Sequence, residues 1–297
     1  MRTFAWGRVL AAMVTPMDSK GNVNYGLAAN LSRDLIDNGC DGVVVSGTTG
    51  EAATLSREEK LKLFAEVKRA VGAKGRVIAG VGSNCTRETL DLIWEAERLP
   101  LDGYMVITPY YNKPNLSGLR EHYQAVDTAS SRPIMLYNVP SRTGLDLDLN
   151  AYEIVLTHCP KITAVKEASS NLEKGSQLTA SFPGVDFFSG NDSLLLPLLA
   201  VGFKGVVSVA ANLVPWSLAK IASLADSGDW SGARNENNRL FPLFKALFLE
   251  TNPVPVKAAL EIQGWPVGAP RLPLGKLAPV NRERLAALVP QYRRERV

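Results

Sequence analysis

Eight short apolar, β-branched runs recur along the chain, separated by amphipathic segments, and this alternation constrains the fold more than any single motif. The runs are VLAAMVTP (9–16), GVVVSG (42–47), VIAGVG (77–82), GYMVITP (103–109), IMLYNVP (134–140), ITAVKEA (162–168), VDFFSGN (185–191) and GVVSVA (205–210). Each is nearly continuous in apolar residues, which is how strands covered on both faces read. Between them, SREEKLKLFAEVKRAV (56–71), RETLDLIWEAERL (87–99) and SGLREHYQAVDTAS (117–130) carry apolar residues at helical spacing and charges elsewhere. Ser56 and Glu59 form the pattern of a capping box for the first of these helices.

A repeated βα unit with buried strand faces predicts a parallel sheet. Eight units reach to about residue 225, close to the ~250 residues of a (β/α)8 barrel. No GxGxxG follows a strand, so an open dinucleotide-binding sheet has little support. The expected fold is α/β, a (β/α)8 TIM barrel over residues 1–229. From 230 to 297 the pattern is helical only, in WSGARNENNRLFPLFKALFLE (230–250), PVPVKAALEIQG (253–264) and NRERLAALVPQYRR (281–294), and predicts a C-terminal helical appendage. The Pro- and Gly-rich WPVGAPRLPLGKLAP reads as an irregular but ordered connection.

Composition narrows the chemistry. A formal charge of +4 over 297 residues, with basic residues scattered among acidic ones except in the terminal QYRRERV, gives no support for nucleic-acid or membrane binding. Cys40, Cys85 and Cys159 lie far apart with no CxxC pair, which argues against a disulfide framework or a structural zinc site and for a reducing cytoplasm. The apolar run after Arg8 is six residues long and is followed by TPMDSKGN, so neither a signal peptide nor a membrane span is expected. With two histidines, His122 and His158, acid and base work falls to Tyr, Lys and carboxylates.

Barrel active sites gather at the C-terminal strand ends, which here read SGTTGE (46–51), TPYYN (108–112), YNVPSRTG (137–144), KEA (166–168), SGND (189–192) and SVAAN (208–212). Lys166 ends an apolar strand. It is either a rim lysine in a salt bridge or an amine in the barrel mouth that has lost hydration and attacks a ketone to form a Schiff base. Tyr137 closes the preceding strand and is either a core aromatic or a proton shuttle for that amine, since neighbouring strands lie ~4.8 Å apart. In GTTGE, the glycines let the N–H groups of Thr48 and Thr49 converge on an anion such as a carboxylate. Arg142 is a surface arginine or a bidentate carboxylate clamp. Tyr110 and Tyr111 pack the rim or belong to an interface.

GTTGE, TPYYNKP, LYNVPSRTG, the lysine in VKEA, SGND, GVVSV and NPVPVK fall in the order and spacing of the dihydrodipicolinate synthase and N-acetylneuraminate lyase superfamily, which the chain resembles from VTPMDSKGNV to RLPLGKLAP. Within it the chain looks most like the dihydrodipicolinate synthase branch, which combines GTTGE, the YY pair and SRTG. The resemblance implies a class I aldolase-type lyase condensing pyruvate with L-aspartate-4-semialdehyde to 4-hydroxy-tetrahydrodipicolinate, toward diaminopimelate and lysine. It implies no cofactor or metal beyond the covalent Schiff base of pyruvate on Lys166, with Tyr137 as proton donor and acceptor. Thr48 and Tyr111 would complete a hydroxyl relay, Tyr111 coming from the neighbouring subunit of a tight dimer in a homotetramer, a dimer of dimers. Thr49 with the Thr48 backbone would hold the pyruvate carboxylate, Arg142 the semialdehyde carboxylate, and Gly190 and the Val207 carbonyl would line the pocket. His122, His158 and the cysteines would be structural.

Two departures from the family pattern matter. Asn191 stands where many members have an acid. At the effector site of lysine-inhibited members, matching Ala52, Ala53, Leu55, Arg57, Lys60, Asn84, Glu88 and Tyr110, this chain has Arg57 and Lys60 in place of histidines, and weak or absent inhibition by lysine is expected. Two other readings stay open: a retro-aldol lyase acting on another 2-keto acid, such as 4-hydroxy-2-oxoglutarate or a sugar acid, and a barrel that binds a keto acid without turnover.

Overall fold

The computed structural model describes residues 6–292. Among them, eight strands close into one parallel barrel in chain order: β1 (Val9–Ala12), β2 (Gly42–Val45), β3 (Arg76–Gly80), β4 (Gly103–Ile107), β5 (Ile134–Asn138), β6 (Ile162–Glu167), β7 (Asp186–Ser189) and β8 (Gly205–Ser208), which pairs back onto β1. All eight apolar runs contain a strand. Strands β5 to β8 reach into the polar ends of their runs, closing at Asn138, Glu167, Ser189 and Ser208, whereas β1 to β4 end in apolar residues or glycine.

The unbroken apolar character of the runs has a direct cause in the closed sheet. Leu10, Val44, Ile78, Met105, Met135, Ala164, Phe188 and Val207 point into the barrel and form one interior cluster. Their sequence neighbours Ala11, Val43, Val77, Val106, Leu136, Val165, Phe187 and Val206 belong to the larger cluster under the surrounding helices. Both faces of each strand are therefore dry, and each fully buried Val or Leu contributes about 1.5–3 kcal/mol of transfer free energy.

Helices Arg57–Val71, Thr86–Ala96 and Leu116–Ala129 occupy the expected amphipathic segments. The capping box forms, with Ser56 accepting from the Glu59 N–H and the Glu59 carboxylate accepting from the Ser56 N–H. After the barrel come helices Trp230–Ala246, Val254–Ile262 and Pro279–Leu288, the first packed on helix Pro215–Asp226. The last two residues of the third expected helical segment, and most of the terminal basic run, lie outside the described residues.

This C-terminal part is bolted to the loop after β2. Lys257 Nζ lies 2.8 Å from Glu51 Oε1, both side chains 1% exposed, and donates further to the carbonyls of Thr15 and Ala269. The other Glu51 oxygen accepts the Arg271 N–H at 2.8 Å. Arg271 in turn grips Glu59 with both terminal nitrogens and reaches the carbonyls of Gly21 and Thr54. Burial lowers the Lys257 pKa, and the Glu51 charge opposes that shift. Among the described residues no helix is long and apolar enough to cross a membrane. Cys40, Cys85 and Cys159 are free thiols.

Candidate active site

The site is built on the strand alternation. In β5, Met135 and Tyr137 face the barrel interior while Leu136 faces the helices; in β6, Ala164 faces inward and Val165 outward, which puts Lys166 on the interior face beside Tyr137. The two residues are in-register partners across the β5–β6 ladder. Lys166 is 5% exposed and Tyr137 is 5% exposed, and Lys166 Nζ sits 4.3 Å from the centre of the Tyr137 ring. The lysine is not a rim residue in a salt bridge; among the described residues it has no ion-pair partner within 4.0 Å.

Glu167, the next residue, points the other way, out of the barrel. There its carboxylate accepts from Tyr152 Oη at 2.6 Å, from Asn138 Nδ2, and from the Ser169 N–H, with Lys174 Nζ at 3.4 Å. The KEA strand end thus divides its polar groups between mouth and barrel wall, and a fully bonded anion anchors the strand that presents Lys166. Asp192 supplies the acid on the interior side. It is fully buried, and burial raises its pKa, opposed by hydrogen bonds from Ser208 Oγ and the N–H groups of Ala210 and Val209 and by the positive charge of Lys166. Asn191 turns aside instead, donating to Ser170 Oγ at 2.9 Å, so the lost acid at that position leaves the buried one in place.

The loop after β2 is sharply folded, with Ser46 and Glu51 in the left-handed region at φ 57°. Gly80 on β3 makes room for it, since a side chain there would meet the Ser46 carbonyl at 2.2 Å. The N–H groups of Thr48 and Thr49 donate to no acceptor of the chain among the described residues, as an anion-binding turn requires. Thr49 is buried, and its hydroxyl oxygen accepts from Asn252 Nδ2 at 2.9 Å.

A cavity of about 640 Å³ opens at the ends of β2 to β5, with Thr48, Tyr137, Arg142 and Tyr110 in its wall. Arg142, on the single helical turn Pro140–Thr143, is exposed and donates to the Asn252 carbonyl at 3.1 Å. The same cavity runs on past Ala53, Lys60 and Glu88, so the residues matched to the effector site adjoin those matched to the active site. Asn84 lies outside this lining; its carbonyl accepts from Asn112. Lys60 is half-buried, with its pKa lowered by burial against the opposing pull of Glu88, and Arg57 pairs with Glu95 at 3.1 Å and Asp91 at 3.5 Å.

Gly190 follows β7, where an added Cβ would lie 2.5 Å from that of Ala168, and Val207 is fully buried inside the barrel. Tyr111 is separate from the rest: it is 89% exposed with φ 72°, a conformation that costs a non-glycine residue roughly 1–2 kcal/mol. Sequence reasoning missed Asn252, Asp192 and the Glu51–Lys257 pair. Asn252 and Lys257 lie in the quoted NPVPVK and Asp192 in SGND, but their partners are 203, 206 and about 16 positions away. No local pattern announces such contacts.

A closed parallel barrel with a sheltered lysine and tyrosine abreast at the C-terminal end of its strands is the frame of a barrel enzyme. A family model described as the dihydrodipicolinate synthetase family matches residues 5–292, and the chain belongs to that family. It is 48% identical over 286 residues to a 4-hydroxy-tetrahydrodipicolinate synthase of Thermosynechococcus vestitus, covering 96% of each chain. It is 46% identical to the enzyme of the same name from Moorella thermoacetica, covering 95% of this chain and 97% of that one. Among solved structures, dihydrodipicolinate synthase from Cyanidioschyzon merolae with lysine bound superposes with a TM-score of 0.94 at 41% identity, covering 97% of this chain and 99% of that one. The chloride-inhibited enzyme from Acinetobacter baumannii complexed with pyruvate superposes with a TM-score of 0.93 at 36% identity, covering 97% and 100%.

Proposed function

We propose that this chain is a 4-hydroxy-tetrahydrodipicolinate synthase, a lyase that condenses pyruvate with L-aspartate-4-semialdehyde in diaminopimelate and lysine biosynthesis. Lys166 Nζ adds to C2 of pyruvate, and the carbinolamine loses its hydroxyl as water to give the imine. Loss of a C3 proton gives the enamine, whose C3 attacks the aldehyde carbon; the amino group of the bound semialdehyde then adds to the imine carbon and expels Lys166 Nζ, closing the ring and restoring the free lysine. Tyr137, against the amine, hands protons to the departing hydroxyl and to the new alkoxide. Thr48 and Tyr111 carry protons between Tyr137 and solvent. No metal or external cofactor takes part.

The free N–H groups at Thr48 and Thr49 receive the pyruvate carboxylate, and Arg142 at the cavity wall receives that of the semialdehyde. Gly190 and the Val207 carbonyl complete the pocket. Tyr111 reaches the site of a neighbouring subunit, in keeping with its exposure, within a homotetramer built as a dimer of dimers in the cytoplasm. Of the division expected at 1–229 and 230–297, the described residues 6–229 make the catalytic barrel and 230–292 the appendage.

The observation that carries this reading is the buried, in-register Lys166–Tyr137 pair, in a chain so similar over its length to synthases of that name. Condensation of pyruvate with aspartate semialdehyde by wild type, Lys166→Ala and Arg142→Ala tests it. Lys166→Ala should be inactive. Arg142→Ala should raise KM for the aldehyde by about 10–100-fold, the loss of a hydrogen bond to a charged group; full activity in that variant would remove the clamp. An enzyme preferring a polyhydroxylated acceptor would show the same trapping by pyruvate without this dependence on Arg142.

A further inference from the structure

Asn252 joins two parts of the site that the chain supplies from far apart. Its side-chain Nδ2 donates to Thr49 Oγ1 at 2.9 Å, and its backbone carbonyl accepts from Arg142 Nη2 at 3.1 Å. The residue is 5% exposed and stands in the cavity wall with Thr48, Tyr137 and Arg142. Its own segment cannot drift, because Lys257 five positions on is held in the buried pair with Glu51, at the far end of the same GTTGE loop. The loop is thus gripped at Thr49 and at Glu51 by one piece of the C-terminal region.

The direction of the hydrogen bond has chemical content. A threonine hydroxyl has one proton and can accept as well as donate. With Oγ1 accepting from the Asn252 amide, the Thr49 O–H proton is left for an incoming carboxylate, and the donated bond polarises it toward that role. We propose that Asn252 is a positioning residue for the keto-acid carboxylate: its amide sets the rotamer and the proton direction of Thr49, while its carbonyl parks the Arg142 guanidinium at the mouth. This rests on the function proposed above.

Because the contact to Arg142 is made by the backbone, side-chain substitutions at Asn252 separate the two substrates. Asn252→Ala should raise KM for pyruvate by about 10-fold or more while leaving KM for the aldehyde within about threefold. Asn252→Asp, of nearly the same volume, can only accept while ionised; it turns the Thr49 proton toward itself and should impair pyruvate binding at least as much as alanine. In a Thr49→Val background, Asn252→Ala should add about twofold or less, since the interaction is already gone. Steady-state kinetics with both substrates varied, and the pyruvate concentration giving half-maximal borohydride trapping on Lys166, read these effects.

Equal rises in both KM values, additive losses in the double variant, or an aspartate variant that behaves like wild type would overturn the proposal. Asn252→Asp carries the test if the alanine variant fails to fold. A wild-type enzyme that traps pyruvate but does not condense it with the semialdehyde would instead overturn the function, and the trapping curve would still decide the role of Asn252.

Discussion

Lys166 and Tyr137 stand side by side on adjacent strands, Cα opposite Cα, with the lysine nitrogen 4.3 Å from the centre of the tyrosine ring. This places an amine and a hydroxyl-bearing ring on the same dry surface, with no carboxylate of the described residues paired to the amine within 4.0 Å. The two roles assigned to them are separable by experiment. Lys166→Ala should abolish both turnover and the covalent product left by borohydride with pyruvate. Tyr137→Phe keeps the amine and the ring, so trapping should persist while kcat falls by about 10²–10⁴-fold, the usual contribution of a positioned proton-transfer group. Mass spectrometry of the reduced protein and initial-rate measurements check both.

The Glu51–Lys257 pair is buried to 1% exposure on each side chain, and its loss should be felt mostly in stability. Lys257→Met leaves Glu51 as an uncompensated buried charge, with one remaining partner in the Arg271 N–H. Breaking such a pair costs about 3–5 kcal/mol. Chemical denaturation should show this loss, and the double variant Lys257→Met, Glu51→Gln should recover part of it. Equal stability of the single variant and wild type would mean the pair is not a bolt.

His122 makes stability depend on acid. Its ring is buried, with Nδ1 hydrogen-bonded to Thr86 Oγ1 at 2.9 Å and Nε2 without a partner among the described residues, and burial pushes its pKa down to about 4 from 6.5. Between those values the unfolded chain binds a proton that the folded chain refuses, so stability is whole above about pH 6.5 and is withdrawn as pH falls toward 4. The loss reaches about 3 kcal/mol at most. Urea titrations across this range should show it in wild type, and His122→Met should flatten that part of the profile.

Lysine should inhibit weakly. Glu88, whose carboxylate accepts from Ser83 Oγ at 2.8 Å, acts on the Lys60 ammonium through its charge, so a lysine ligand in this part of the cavity would add a second positive charge beside Lys60, and like charges repel in a half-dry space. Arg57, already paired with Asp91 and Glu95, does not offset this. Steady-state assays should show no inhibition at micromolar lysine, and Lys60→His should increase sensitivity. Strong inhibition of wild type at micromolar lysine would overturn the argument.

The barrel was legible in the chain before any coordinates. Strands dry on both faces must be apolar without a break, so eight such runs separated by helical periodicity leave a closed parallel sheet as the economical solution, and the polar residues ending each run mark the mouth. Lys166, Tyr137 and the Thr48–Thr49 turn were visible for the same reason: each is a local exception to an apolar rule.

What the linear order could not show is which exceptions face one another. Side-chain direction in a strand alternates, so whether Glu167 or Lys166 looks into the barrel depends on register across β5 and β6, and that is decided by packing of the whole sheet. Asn252 on Thr49, Lys257 on Glu51 and Asp192 among the β8 turn amides are contacts between distant segments, and only the closing of the barrel and the docking of the C-terminal helices bring them within hydrogen-bond reach. Residue chemistry is a local property; hydrogen-bond geometry over a few ångströms belongs to the folded chain.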